Sequence, residues 1–251
     1  MRLLALLALA SGLASGPASA EDLKADGSRP PATPRKAVVE LFTSQGCSSC
    51  PAADALLERL AGRDDIVALS LSVDYWDYLG WKDTLASPKF TARQRAYARA
   101  RGDGAIYTPQ MVVNGMTHVN GSDEAQVARA IDKTGQALVG VSVRLSERAG
   151  RLVIETGGLA PGATGKDATI WVAVLAKSVE VPIERGENQG KTITYHNVVR
   201  ELMPVGTWSG KPMTVELERS SFMPPGTERC AVLLQQGQAG PIVGAALMSN
   251  F

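Results

Sequence analysis

Apolar and polar residues recur along this chain in two rhythms, and the change from one to the other falls near Gln136. Before it, the apolar run at 37–42 predicts a strand, and the segment from 48 to about 60 predicts a helix with Ala53, Leu56, Leu57 and Leu60 on one stripe. A second strand is expected at 66–73. Ser87 followed by Pro88 reads as an N-cap with proline at the first helical position, opening a helix to about 101. Tyr107-Thr108-Pro109 precedes a strand at 110–113, Asn114-Gly115 is the strongest two-residue hairpin signal in the chain, and the return strand is 116–119. Ser122, Asp123 and Glu124 open a helix to about 134, with Val127, Ala130 and Ile131 facing inward. The order is β-α-β-α-β-β-α.

Beyond Gln136 the helical period is lost. Short β-rich runs at 141–145, 152–156, 169–175, 192–199, 213–217, 230–235 and 242–247 are separated by turns rich in glycine and proline. That spacing predicts an all-β, immunoglobulin-like antiparallel sandwich over 139–251, a second domain after an α/β domain at 37–138.

The beginning of the chain reads differently again. Arg2 precedes a short apolar stretch and Ala18-Ser19-Ala20 fits the small-x-small cleavage rule, so residues 1–20 are expected to be a secretory signal peptide. Residues 21–36, polar and containing Pro30, Pro31 and Pro34, read as a flexible lead-in. No later segment approaches the roughly 20 apolar residues that a membrane-spanning helix needs. A soluble periplasmic or secreted protein is the expectation, in a compartment where disulfides persist. Of 26 basic and 25 acidic residues, cleavage removes one basic residue, Arg2, leaving 25 of each. Neither nucleic acid nor an anionic membrane is therefore expected as a partner. Three cysteines cannot make a disulfide framework, so stability must come from packed cores.

The candidate chemistry lies in Gly46-Cys47-Ser48-Ser49-Cys50-Pro51, between the first strand and the first helix. At a helix start, unpaired backbone N–H groups and the positive end of the helix dipole favour a thiolate, which makes Cys47 the expected attacking sulfur. Cys50, one turn on, is placed to resolve a mixed disulfide on Cys47. A zinc site would need further ligands, and His118, His196 and Cys230 show no metal-ligand spacing. A structural bridge is the stronger rival, although so short a loop restrains the unfolded chain weakly. No metal is expected, and the only cofactor is the redox-active pair itself.

The element order, the Cys-x-x-Cys directly after the first strand and Thr108-Pro109 just before the hairpin together resemble the thioredoxin fold. The resemblance implies a cis-proline at Pro109, with Thr108 and Pro109 forming a substrate-facing wall beside the dithiol. Thioredoxins also keep a buried carboxylate beneath the dithiol as a proton relay. Glu40, on the first strand, is the nearest candidate, the alternative being that it sits at the strand's edge or pairs with a basic residue. The runs Glu40–Pro51, Val73–Trp81 and Tyr107–Gln110, with Gly186-Glu187-Asn188 and Tyr195–Arg200, are similar to a family of secreted bacterial thioredoxin-like proteins that carries a domain-of-unknown-function label.

Four of the thirteen aromatics, Tyr75, Trp76, Tyr78 and Trp81, fall within seven residues after the second strand. Loops at the carboxyl ends of parallel strands border the site in open α/β sheets, so Trp76 and Trp81 are candidates for gripping a peptide or another flat, apolar ligand; packing under a long loop or against the second domain is the equal alternative. Gly186 to Gly190 reads as an exposed loop. His196 in the following strand is a second candidate proton donor, or a hydrogen-bonded structural residue. Cys230 is expected to be a buried free thiol.

The leading expectation is a thiol–disulfide oxidoreductase acting on protein or small-molecule thiols and disulfides. The alternative is a redox-inert binding or assembly module with a structural disulfide, and Cu(I) handling by the two thiolates is a third.

Overall fold

The strand β1 (Ala37–Thr43) is buried at all seven positions, because both faces of the sheet around it are covered. This computed structural model describes residues 35–138, 140–159 and 167–251. The segment read as a signal peptide and all of the lead-in before Arg35 lie outside the described residues.

β2 (Ile66–Ser72) pairs with β1 in parallel, and β3 (Gln110–Val113) pairs with its other edge antiparallel. β4 (Thr117–Asn120) returns from β3 through Asn114 and Gly115, whose φ angles of 52° and 66° are those a tight hairpin turn requires. The two-residue period divides β1 between two cores. Val39 and Leu41 pack with α1 (Pro51–Ala61) and α3 (Glu124–Thr134), through Leu56, Leu57 and Ile131. Val38 and Phe42 pack on the opposite face against Phe90 and Tyr97 of α2 (Pro88–Arg101). The Ser87 hydroxyl accepts the Lys89 N–H at 3.3 Å, capping α2 ahead of Pro88.

The second half contributes β5 (Val143–Arg148), β6 (Arg151–Thr156), β7 (Ala168–Pro182), β8 (Thr192–Trp208), β9 (Met213–Glu218), the short α4 (Arg219–Phe222), β10 (Arg229–Gln236) and β11 (Ile242–Met248). These strands overlap the predicted runs, but they do not close into a separate sandwich. Four of them join the first half in one mixed sheet of eight strands, ordered β11-β10-β7-β8-β2-β1-β3-β4, and β5-β6-β9 form a separate three-stranded sheet.

The expected architecture, a thioredoxin-like α/β domain followed by an immunoglobulin-like sandwich, is therefore corrected. β8 runs parallel to β2, registered at Ser70 and Val198, and the Asn197 amide donates to the Ala68 carbonyl at 3.0 Å. Asn197 adopts a φ of 48°, a conformation asparagine tolerates better than most residues. One core draws Leu69 and Leu71 of β2 together with Ala173, Leu175, Val199, Ala231 and Leu233. Cys230, Val232 and Leu234 point the other way, into the core shared with the three-stranded sheet. β10 and the first nine residues of β7 thus have little exposure on either face, whereas a two-layer sandwich would leave one face of each strand to water.

Candidate functional site

The chain leaves β1 at Thr43 and turns tightly before it becomes helical. The Cys47 N–H donates to the Ser44 carbonyl at 3.2 Å and the Gly46 N–H to the Ser44 hydroxyl at 3.1 Å. Cys50 occupies the cap position of α1 without a side-chain cap, and its carbonyl accepts the N–H groups of Ala53 and Asp54 at 2.9 and 3.0 Å. The helix thus starts three residues later than the sequence reading placed it, because residues 48–50 form turns and Pro51 supplies the first helical position. Cys47 and Cys50 are joined by a disulfide with their Cα atoms 5.4 Å apart. They are 1% and 0% exposed, while Ser48 and Ser49 between them face solvent.

The peptide bond between Thr108 and Pro109 is cis. The Gln94 amide fixes the approach by donating to the Tyr107 carbonyl at 2.8 Å and to the Gln110 side-chain oxygen at 2.9 Å. Gly121 donates its N–H to the Pro109 carbonyl at 3.0 Å. A Cβ on Gly121 would lie 2.8 Å from Leu41 Cδ1, 3.1 Å from Ala53 Cβ and 3.3 Å from Pro109 Cβ. Its absence lets Gly121 fit between the proline turn and Ala53 in the first turn of α1.

The aromatic segment forms a second wall, and its indoles are tied down. Trp76 Nε1 donates to Thr108 Oγ1 at 2.9 Å, and Trp81 Nε1 donates to Gln45 Oε1 at 2.8 Å. A Cβ on Gly46 would meet Trp76 Cβ at 3.0 Å, so glycine is needed for this close approach. Asp83, itself buried, accepts the Gln45 N–H at 2.8 Å and the Leu85 N–H at 2.8 Å; burial pushes its carboxyl above the usual range. Tyr78 is the aromatic of this segment that projects outward, at 79% exposed.

A third wall comes from the connection between β7 and β8. The Asn188 amide donates to the carbonyls of both Gln45 and Cys47, each at 2.9 Å, and Lys191 Nζ donates to the Asn188 oxygen at 2.9 Å. The carboxylate of Glu187 accepts the Ser48 N–H at 3.0 Å, and hydrogen bonds from Ser48 hold it below the usual range. Gly186 and Gly190, with φ of 81° and 80°, bracket the two.

Beneath the dithiol lies a buried acid. Asp54 is 4% exposed, and neither of its carboxylate oxygens has a hydrogen-bond partner. Burial pushes its carboxyl up to about 7, the neighbouring Thr43 hydroxyl opposing the shift and Asp83 adding to it.

The remaining predicted residues are dispersed. Glu40 lies on the α2 face of β1, where Arg93 Nε and Nη2 donate to its two oxygens at 2.6 and 3.2 Å and the Tyr97 hydroxyl also donates. His196 sits on β8 with Nε2 3.4 Å from Glu58 Oε1 of α1. Cys230 is a buried free thiol that burial pushes up to about 12. Among the described residues, no group of three or more His, Cys, Asp or Glu is arranged to hold a metal ion.

Sequence reasoning missed Asn188, which it read as part of an exposed loop and which is wholly buried. It also missed Gln45, Asp83 and Asp54. Only Asp54 carried a legible signal, an acid four residues after Cys50 on the inward face that holds Ala53 and Leu57.

The family described as "Protein of unknown function (DUF1223)" matches residues 38–235. No curated protein matches the chain. The chain is similar to an Agrobacterium tumefaciens protein of known crystal structure, with 38% identity and a TM-score of 0.76, over 86% of this chain and 95% of that one.

Proposed function

The chain belongs to the DUF1223 family, whose description assigns no activity, and from the geometry of its own dithiol we propose that it is a periplasmic or secreted thiol–disulfide oxidoreductase. In this reading Cys47 is the sulfur attacked by, or attacking, the substrate, Cys50 is the resolving sulfur, and Thr108 with Pro109 offers the wall along which a substrate peptide lies. The substrates are thiols or disulfides of other proteins or of small molecules. The observation that carries the reading is the disulfide between Cys47 and Cys50 at a strand-to-helix junction, with the cis-proline turn joined through Gly121 to the first turn of the same helix. The resemblance of these two motifs to thioredoxin-like proteins supports the chemistry, in an architecture of its own. The location rests on the signal-peptide pattern of residues 1–20.

One observation favours a second reading, a redox-inert binding module. Cys47 is only 1% exposed, and Glu187 and Asn188 are hydrogen-bonded across the loop that carries it. Equilibration with glutathione redox buffers, followed by thiol alkylation and mass spectrometry, separates the two. A potential between those of strong oxidants and thioredoxin is the expected result. A bridge that stays closed below about −300 mV would mark it as structural and overturn the exchange reading.

A further inference from the structure

Among the described residues, Glu187 is the only charged side chain hydrogen-bonded to the segment Cys47–Cys50. Its carboxylate accepts, at 3.0 Å, the N–H of the peptide bond that joins Cys47 to Ser48, and it faces solvent together with Ser48 and Ser49. A surface glutamate is ordinarily free to swing away, but this one is placed by the residue after it. Asn188 is wholly buried and spans the carbonyls of Gln45 and Cys47. The loop around it is closed on itself: the Gly190 N–H donates to the Ile183 carbonyl at 2.8 Å, the Ile183 N–H to the Lys191 carbonyl at 2.9 Å, and the Gln189 N–H to the Gly186 carbonyl at 3.1 Å. The carboxylate is therefore fixed beside the dithiol, and its hydrogen bonds from Ser48 keep it ionised at neutral pH. Among the described residues no basic side chain pairs with it. Lys191, a cation of the same loop, donates to the oxygen of the Asn188 amide, whose nitrogen is the end that faces Cys47.

We infer that Glu187 is a specificity-determining residue that selects substrate thiols carrying positive charge beside the sulfur, as in protein cysteines flanked by lysine or arginine, over anionic thiols such as glutathione. The inference rests on the exchange reading above and names its substrate class. Every attacking sulfur is a thiolate, so a carboxylate beside Cys47 repels it. An ammonium or guanidinium next to the substrate sulfur offsets that repulsion, and a carboxylate there adds to it. Discrimination comes from penalising the wrong partner as much as from attracting the right one.

The substrate thiolate attacks Cys47, forming a substrate–Cys47 disulfide and breaking the Cys47–Cys50 bond, whose electron pair leaves on Cys50. A second thiolate of the same substrate then displaces Cys47. The substrate is oxidised by two electrons to its disulfide, and the protons of its two thiols end on Cys47 and Cys50. Glu187 acts on the approach to the first step and takes part in neither bond change.

The test is the rate at which cysteamine, mercaptoethanol and mercaptoacetate, each in excess, open the disulfide in the wild type, in Glu187→Gln and in Glu187→Lys, read by alkylation and mass spectrometry. Rates are expressed per thiolate and normalised to the neutral thiol, so that any change the substitution makes to the disulfide itself cancels. At about 0.01 M salt, the ratio of the cationic to the anionic rate should fall roughly tenfold in Glu187→Gln and further in Glu187→Lys, and these differences should fade at about 1 M salt. Two variants keep the test available if one fails to fold. A wild-type ratio in a folded variant overturns the role of Glu187 and leaves the exchange reading intact. A wild-type disulfide that neither these thiols nor glutathione opens overturns the exchange reading itself.

Discussion

The amide of Asn188 donates to the carbonyl of Cys47 across a separation of 141 residues. The same nitrogen also donates to Gln45, so one buried side chain from the second half holds the strand-to-helix loop at two points. Asn188→Ala would leave the buried Gln45 carbonyl without its donor and the Cys47 carbonyl with the Cys50 N–H alone. A loss of about 1–3 kcal/mol in unfolding free energy is expected. The disulfide should also be reduced several-fold faster by a phosphine, because the cover over Cys47 opens more often. Equal reduction rates in the two proteins would show that Asn188 does not limit access.

Glu187 sets a carboxylate at the backbone N–H of Ser48, beside Cys47. A negative charge there works against a Cys47 thiolate and competes for the N–H groups that would stabilise it. Glu187→Gln should lower the pKa of the reduced Cys47 thiol, by up to about one unit. The pH dependence of thiolate absorbance measures this directly, and the reduction potential should become more oxidising in step.

Glu40 and Arg93 form a buried ion pair, 1% and 6% exposed at their side chains, with Tyr97 bonded to both. Glu40→Gln leaves a buried guanidinium without its counter-charge and should cost about 3–5 kcal/mol. Replacing Glu40 and Arg93 together by leucine should recover most of the loss, as denaturant unfolding will report. The folded fraction of either variant should keep the wild-type pH profile of disulfide reduction. A changed profile would tie Glu40 to the proton chemistry instead.

Stability should depend on pH through Asp54. Its folded-state value of about 7 lies above the ordinary 3.8, so between these values the folded protein keeps a proton that the unfolded chain has released. Stability from this group is fully present below the lower value and is lost as pH rises through the upper one, by at most about 4 kcal/mol. Asp54→Asn removes this dependence. The variant's advantage in denaturant midpoint, with the disulfide intact, should therefore be larger at about pH 8 than at about pH 5.

Local signals in the sequence located most elements well. Ser87-Pro88 marks the start of α2 and Asn114-Gly115 the hairpin between β3 and β4, because capping and turn geometry are decided by neighbouring residues. Which strands meet was not legible in the same way. The alternation along β10 sends Ala231 and Leu233 to one core and Cys230, Val232 and Leu234 to another, and a run apolar on both sides does not say which layers lie above and below. The candidate site divides likewise. Cys47, Cys50 and Thr108-Pro109 stand out by spacing, whereas Asn188 acts through a contact made only when β8 lies beside β2.

β8 carries that adjacency in its own length. It pairs with β2 at Val198 and, through the loop before it, delivers the side chains that cover Cys47. The cysteine pair is consequently not a portable cassette. A fragment cut after residue 138 would present β2 as a raw edge, open to pairing with other chains, and would leave its disulfide unguarded. Shielding of the sulfurs and solubility of the scaffold are thus inherited together, and a graft of the cysteine loop onto another protein would acquire neither.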